Sequence, residues 1–390
     1  MAPAACPAHE MKRRLVLRLG LAQLINWGVS FYIPGAFAAA IIQDTRWQAG
    51  LVHAGLSLAL LVMGLVSPLS GGWIERWGGR RVMCAGSLLN AAGCLLLAGS
   101  GTACQYLAAW LVLGVGMRLS LYDAAFATLA ALLGPDGRKA MVQVTLFGGL
   151  STSLFWPLGG WLADTFGWRA GLTCFAVSAL LGWALLLGLP GQPPAQAKQP
   201  TAIAAMPLPR VPARLYGLAM ALTAFLASGL SAHMTSLLAS HGLPTALAAL
   251  WGVGQVGARL ADCLQRRSLP ALHLNLWVGV ALPACFALGL VGLGSAPLAG
   301  LFVLAYGALN GLATLLRASL PLELFATEGY AQALGRLLAP AFLLAAVAPW
   351  VYALVRSQAG DMAMLWLSLA IALGVLSSAV ALHRLRRAGP

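Results

Sequence analysis

Charge is what this chain has least of. Only 9% of its 390 residues are Asp, Glu, Lys or Arg, and ten are acidic. A soluble domain carries about 25% charged residues. With 60% hydrophobic residues there is too little polar material to cover a water-exposed surface, so lipid must be the solvent. The sequence has no GxxxxGK[ST] phosphate loop, which argues against direct ATP drive. It has no HExxH helix and no nucleophile–base pairing of the kind an intramembrane hydrolase needs. No cysteine pair has CxxC spacing. Cys6, Cys84, Cys94, Cys104, Cys174, Cys263 and Cys285 mostly sit inside apolar runs and read as small buried hydrophobes. No metal site and no cofactor are expected. No segment is long enough for the soluble output domain of a sensor.

What is present is a series of apolar runs. A spanning helix takes about 20 apolar residues. Twelve such runs are expected, near 17–41, 49–73, 80–100, 105–133, 140–163, 168–189, 215–239, 245–263, 272–294, 298–320, 332–355 and 362–383. Met11-Lys12-Arg13-Arg14 and the run behind it suit an uncleaved first helix better than a signal peptide, because the run is too long. Residues 189–214 hold Pro190, Pro193, Pro194, Pro200, Pro207, Pro209 and Pro212, which argues for an extended linker. The chain then divides into a tail (1–16), a six-helix bundle (17–189), the linker (190–214), a second six-helix bundle (215–383) and a basic tail (384–390).

The net charge of +14 does not point to nucleic acid, because the basic residues lie at helix ends. With the N-terminus in the cytoplasm, only Arg46, Arg169 and Arg356 fall on outer segments. That asymmetry predicts an even number of spans and two cytoplasmic termini.

The turn Gly71-Gly72-Trp73-Ile74-Glu75-Arg76-Trp77-Gly78-Gly79-Arg80-Arg81 joins the second and third runs. Gly71 suits close helix approach and Gly78 a tight turn. Glu75, Arg76 and Arg80 supply opposite charges. Read blandly, it is a topogenic loop whose exposed pairs contribute about 0–1 kcal/mol each. Two other stretches have a similar character: Gly159-Gly160-Trp161-Leu162-Ala163-Asp164 with Gly167-Trp168-Arg169, and the fainter Gly257-Ala258-Arg259-Leu260-Ala261-Asp262 with Arg266 and Arg267. Gly148-Gly149 and Pro157-Leu158-Gly159-Gly160 make the fifth run kink-prone.

The 71–81 turn, the 159–169 stretch and the six-plus-six layout together resemble the major facilitator superfamily over nearly the whole chain, with Glu75 where Asp is usual. Gln23, Trp27-Gly28, Leu121-Tyr122-Asp123-Ala124-Ala125-Phe126, Tyr306-Gly307, Asn310-Gly311 and the segment from Arg317 to Gly335 are similar to a bacterial, monocarboxylate-transporter-like branch. Some relatives of that branch are metalloid exporters. The resemblance implies an all-α membrane protein with twelve transmembrane helices in two six-helix bundles. It implies a secondary active transporter of the bacterial cytoplasmic membrane, working as a monomer by alternating access. The solute would sit near the bilayer midplane, between the halves. Proton coupling and a small organic anion are the expected chemistry, and efflux of drugs or metalloids is the alternative. A non-transporting sensor or an intramembrane enzyme is the reading from a different class. In such families the acid and arginines of the turn tie helix ends together as a cytoplasmic gate, which here falls to Gly71, Glu75, Arg76, Gly78 and Arg80.

Polar residues inside the runs are candidates for the substrate or proton pathway. A charge at the depth of Arg118 costs about 2.5–3.5 kcal/mol to insert. Arg118 and Tyr122 share a helix face. Asp123 would lie about 140° around a continuous helix, so the two charges are expected to serve different neighbours. Arg118 suits an anion or a buried acid and Asp123 a proton. A helix-locking charge network is the alternative. Histidine is the residue type whose charge can change near neutral pH, which makes His233 a candidate, but it equally suits a packing hydrogen bond. Asn310 lies near midplane. Arg317 is deeper and suited to snorkelling. Asn26, Trp27 and Tyr32 are expected to line a cavity.

Overall fold

The computed structural model describes residues 7–134, 137–191, 210–264, 269–325 and 330–387. Among them there is no strand. The helices are α1 (Pro7–Gly28), α2 (Ile33–Thr45), α3 (Ala49–Trp77), α4 (Gly79–Ala98), α5 (Ala103–Ser120), α6 (Tyr122–Leu133), α7 (Gly137–Gly149), α8 (Ser151–Phe166) and α9 (Trp168–Leu187). After residues 192–209, which lie outside the described residues, come α10 (Arg210–Ser240), a 3-10 turn (Thr245–Ala249), α11 (Leu250–Leu264), α12 (Ala271–Gly292), α13 (Ala296–Leu324) and α14 (Tyr330–Arg387).

Among the described residues, eight helical stretches are long and apolar enough to cross a bilayer. Several of the expected runs are interrupted or merged. The first is split into α1 and α2, where Pro34 has no amide to continue the ladder. The fourth is split at Leu121 and the fifth at Leu150. The eighth opens as a 3-10 turn, and the last two are joined in α14 through Gly360.

The chain forms two compact units, Met1–Thr201 and Ala202–Pro390. In the first, α4 packs on α5 and α9, α3 on α5, and α1 on α7 and α9. Trp110, Tyr106, Phe37, Phe126 and Phe175 fill its core. In the second, α10 packs on α14, α11 on α13, and α12 on both α13 and α14. Tyr216, Tyr306, Tyr352, Phe286 and Phe302 fill that core. Leu65, Val291 and Trp350 are about as exposed as surface polar groups in a soluble protein, at 70%, 74% and 68%. Only a lipid-facing surface makes that favourable.

Helix limits differ from expectation at several places. The helix of the N-terminal tail begins at Pro7, so residues 7–16 are helical. The C-terminal helix continues to Arg387. Residues 210–214, expected in the linker, are the start of α10. Pro212 fits there because the first-turn amides of a helix have no intrahelical acceptor.

Single glycines join successive helices. Gly78 (φ 82, ψ 146), Gly167 (φ 83, ψ 156) and Gly360 (φ 80, ψ 179) lie where side-chain-bearing residues are strained. A Cβ on Gly167 would meet no atom within 4 Å, so only the backbone would object. Gly167→Ala is expected to cost about 1–3 kcal/mol in detergent-solubilised unfolding. Gly160→Ala, equally free of contacts but helical, is expected to be neutral or stabilising by up to about 1 kcal/mol. Equal losses at the two sites would refute the backbone argument.

Candidate functional site

The first unit is organised around the interruption at Leu121. The residue is extended (φ −81, ψ −167), and the amides of Ala124 and Ala125 both bond to its carbonyl. Ala124 therefore does not serve the carbonyl of Ser120 one position earlier. Gln23 of α1 does so instead, with Nε2 donating at 2.6 Å. The Ser120 hydroxyl donates to Gly116 O at 2.7 Å and accepts from Asn90 Nδ2 at 2.9 Å. Asn90 Nδ2 also donates to Asn26 Oδ1 at 3.0 Å, and Asn26 Nδ2 to Ala22 O at 2.9 Å. Gln23, Asn26, Asn90 and Ser120 are all 0% exposed. Asn26 therefore belongs to this buried lattice between α1, α4 and α5, and not to a cavity wall as expected. A side chain on Gly116 would overlap the Asn90 amide, which is why that position is glycine.

The same interruption reorients Asp123. Arg118 Nη1 lies 2.8 Å from Asp123 Oδ2, with side-chain exposures of 3% and 7%. The expectation of separate partners assumed a continuous helix. With α5 ended at Ser120 and α6 begun at Tyr122, the 140° offset no longer applies and the two charges pair. Desolvation offsets most of the attraction in such a pair, but breaking it leaves a buried charge at about 3–5 kcal/mol.

Aromatic rings cluster on Tyr122, the residue before Asp123. The Trp27 ring centroid is 4.8 Å from that of Tyr122, 5.1 Å from Phe31 and 5.8 Å from Tyr32. Tyr122 stacks on Phe126 and donates its hydroxyl to Thr145 O at 3.1 Å. Trp27 is half-buried, and its indole N–H has no hydrogen-bond partner among the described residues.

Arginines at the turn also reach the end of a neighbouring helix. Gly78 makes the tight joint, as expected. Gly71 is buried and Glu75 half-buried. Arg76 is exposed, 6.0 Å over the Trp77 ring. Arg80 Nη1 donates to Leu189 O at 3.2 Å, and Arg18 donates to Gly188 O. Both arginines thus cap the C-terminal end of α9, where carbonyls are unpaired and the helix dipole is negative. Gly79 is the glycine of closest approach, since a side chain there would overlap Thr128 of α6.

In the second unit, α10 supplies hydrogen-bond donors to two proline-interrupted helices. Pro349 has no amide for Ala345 O, and Ser228 Oγ donates to that carbonyl at 2.6 Å. His233 Nε2 is 2.9 Å from Pro349 O, which assigns its proton to Nε2. Pro321 likewise frees Arg317 O, and the Tyr216 hydroxyl donates to it at 2.8 Å. His233 thus makes a packing hydrogen bond, one of the two roles expected for it, and stacks on Tyr352. Asn310 is half-buried on α13. Arg317 does not simply snorkel, because its guanidinium lies 4.7 Å over the Phe342 ring.

Sequence reasoning passed over several residues. Arg259 and Asp262 of α11 are 4% and 8% exposed, and Arg259 Nε points at Gly311 O at 3.5 Å. Their only signal was the faint copy of the charged turn. At the other end of the first unit, Asp44 accepts from Trp168 Nε1 at 2.9 Å and from Arg169 Nη1 at 2.5 Å. The second unit has a comparable tie, in which Asp361 accepts from Ser240 at 2.5 Å and from Arg356.

The family model "Major Facilitator Superfamily" matches residues 19–349. The chain belongs to the Major Facilitator Superfamily. As a member, it is a multi-pass membrane protein of a transporter family, not an enzyme. Among curated relatives it is 32% identical over 233 residues to monocarboxylate transporter 11 of Homo sapiens, covering 56% of this chain and 47% of that one. It is 31% identical over 137 residues to monocarboxylate transporter 3 of Mus musculus, covering 34% and 25%. The match thus spans about half the length of the first of these relatives, or less. Two solved structures share the fold. The human organic anion transporter MFSD10 (TETRAN) gives a TM-score of 0.77 at 18% identity, covering 96% of this chain and 100% of that one. The proton:xylose symporter XylE bound to 6-bromo-6-deoxy-D-glucose gives 0.75 at 14%, covering 94% and 95%.

Two predictions follow from this superfamily member's hydrogen bonds. Ser228→Ala should destabilise by about 1–3 kcal/mol, the cost of an unpaired buried carbonyl. In a Pro349→Ala background, where the restored amide serves Ala345 O, the same change should cost much less. Detergent unfolding of the four variants reads this directly. The second concerns Asp44, whose carboxyl is held below its usual range by the Trp168 hydrogen bond first and by Arg169 next. Its stabilising effect is then fully present above the unfolded value of about 3.9 and is lost as pH falls through the lowered folded value. Asp44→Asn should flatten the acid limb of the stability–pH curve below about pH 4 and leave the neutral region's slope unchanged.

Proposed function

We propose that this protein is a secondary active transporter that moves a small organic anion together with a proton by alternating access. The observation that carries the reading is the Arg118–Asp123 pair, buried at a helix interruption within a membrane bundle. Intramembrane charges are expensive and are retained for function. Protonation of Asp123 would release Arg118 to take a substrate carboxylate as its counter-charge. One proton and one monoanion then move together, and the site stays electrically neutral. Arg259 and Asp262 give the second unit a buried cation and acid of the same kind. The curated relatives named as monocarboxylate transporters support the substrate class.

In the same reading the protein sits as a monomer in a bacterial cytoplasmic membrane with both termini on the cytoplasmic side, as the Lys and Arg distribution favours. Arg18 and Arg80, fastened to the end of α9, then belong to the cytoplasmic gate with Gly71, Glu75, Arg76 and Gly78. Within the first unit, Trp27 and Tyr122 are the candidates beside the Arg118–Asp123 pair; within the second, taken by itself, Asn310 and Arg317 are candidates.

The test uses purified protein in liposomes with labelled monocarboxylates and an imposed proton gradient. Uptake should follow the proton gradient and be insensitive to membrane potential. Asp123→Asn should lower it by at least about tenfold, given the energy of breaking such a pair, and should abolish its pH dependence. Unchanged pH dependence in Asp123→Asn would remove that residue as the proton carrier. Solute leaving against a proton gradient, with no monocarboxylate uptake, would favour drug or metalloid efflux.

A further inference from the structure

The groove at the end of α3 and α4 lies beside the gate residues, but none of the side chains that line it is given a part in the transport reading. It has a volume of about 230 Å³ and is lined by Trp73, Trp77, Arg81, Val82, Ala85 and Leu119. Trp73 and Trp77 stack at 6.1 Å with planes 21° apart, and Trp77 is 46% exposed. Both helices are long and apolar enough to span the bilayer, so the groove opens where acyl chains give way to headgroups.

The charges around it are unbalanced. Arg81 is exposed and makes no hydrogen bond or ion pair among the described residues. It stands in the first turn of α4, where the helix dipole disfavours a cation. Its neighbour Arg80 escapes that penalty by reaching the end of α9. Among the described residues, Arg76 meets only the face of Trp77. Two cations are thus held beside an apolar slot with a stacked indole pair at its lip, on a surface that lipid covers.

We propose that this groove is a binding site for an anionic phospholipid, its phosphate held by Arg76 and Arg81 and its acyl chain lying along Trp73, Trp77 and Leu119. The chemistry explains each part. Indoles sit at the headgroup level, with an apolar body and a polar edge. Arginine forks match phosphate oxygens. A phosphate at this point compensates the cation that the α4 dipole disfavours. Membership of a membrane-protein family is all the proposal requires, and it stands whatever the cargo.

The experiment measures lipid retention by native mass spectrometry of the full chain, delipidated in detergent and then offered phosphatidylglycerol or phosphatidylcholine of identical acyl chains. Phosphatidylglycerol should be retained in preference. Arg81→Gln should lower that retention roughly fivefold, the loss of one cation–lipid contact near the surface, and Arg81→Lys should restore most of it. Arg13→Gln, which removes another exposed cation at the same end of the unit, should leave retention unchanged. Trp77→Ala should weaken both lipids. Equal retention of the two lipids, equal loss in Arg13→Gln and Arg81→Gln, or displacement of the lipid by millimolar inorganic phosphate would each overturn the assignment. Thermal unfolding in phosphatidylcholine confirms that every variant compared is folded.

Discussion

A backbone carbonyl released inside lipid must find a donor, and most of this molecule's polar architecture answers that requirement. Water is absent from the hydrocarbon core, so an interrupted helix is stable only where a neighbour replaces the missing amide. Ser120 O receives Gln23, Ala345 O receives Ser228, Arg317 O receives Tyr216, and Pro349 O meets His233. These contacts fix which helix lies against which, and they hold the interruptions in place. At Leu121 the interruption is what allows Arg118 and Asp123 to meet. The buried charge pair is therefore a product of the backbone arrangement as much as of the two side chains.

The same logic applies at the ends of the helices. The last carbonyls before residues 192–209 carry partial negative charge, and Arg18 and Arg80 converge on them from α1 and α4. α1, α4 and α9 are thus tied at one point. At the other end Asp44 gathers Trp168 and Arg169, while Asp361 gathers Ser240 and Arg356. In the first unit a carboxylate of α2 is thus fastened to α9, and in the second a carboxylate of α14 is fastened to α10. The glycine joints at Gly78, Gly167 and Gly360 make those fastenings possible, because they bring consecutive helices together with a single connecting residue.

The fold class was legible in the sequence because apolar run length and the placement of basic residues are local signals. The Gly78 joint was legible for the same reason. Partnerships were not. The i, i+5 spacing of Arg118 and Asp123 argues against contact in any unbroken helix, and nothing at Leu121, neither Gly nor Pro, announces a break. The cause is tertiary: a glutamine 97 residues earlier accommodates the freed carbonyl. His233 was ambiguous for a similar reason, since its partner is a carbonyl at a proline 116 residues away. Asn26 read as polar and accessible, yet it is buried by Asn90 and Ser120 from two other helices. A glutamine or serine in an apolar run, paired with a proline or an interruption in another, is the pattern that would have found these contacts.

The direction of the donations also bears on biogenesis. Gln23 lies on the first helix of its unit, and Tyr216, Ser228 and His233 all lie on the first helix of theirs. Each donor therefore leaves the ribosome, and enters the bilayer, before the interrupted helix it serves. A kinked segment arriving later finds its hydrogen-bonding partner already installed, so no bare carbonyl need wait in lipid while the rest of the polypeptide is being made.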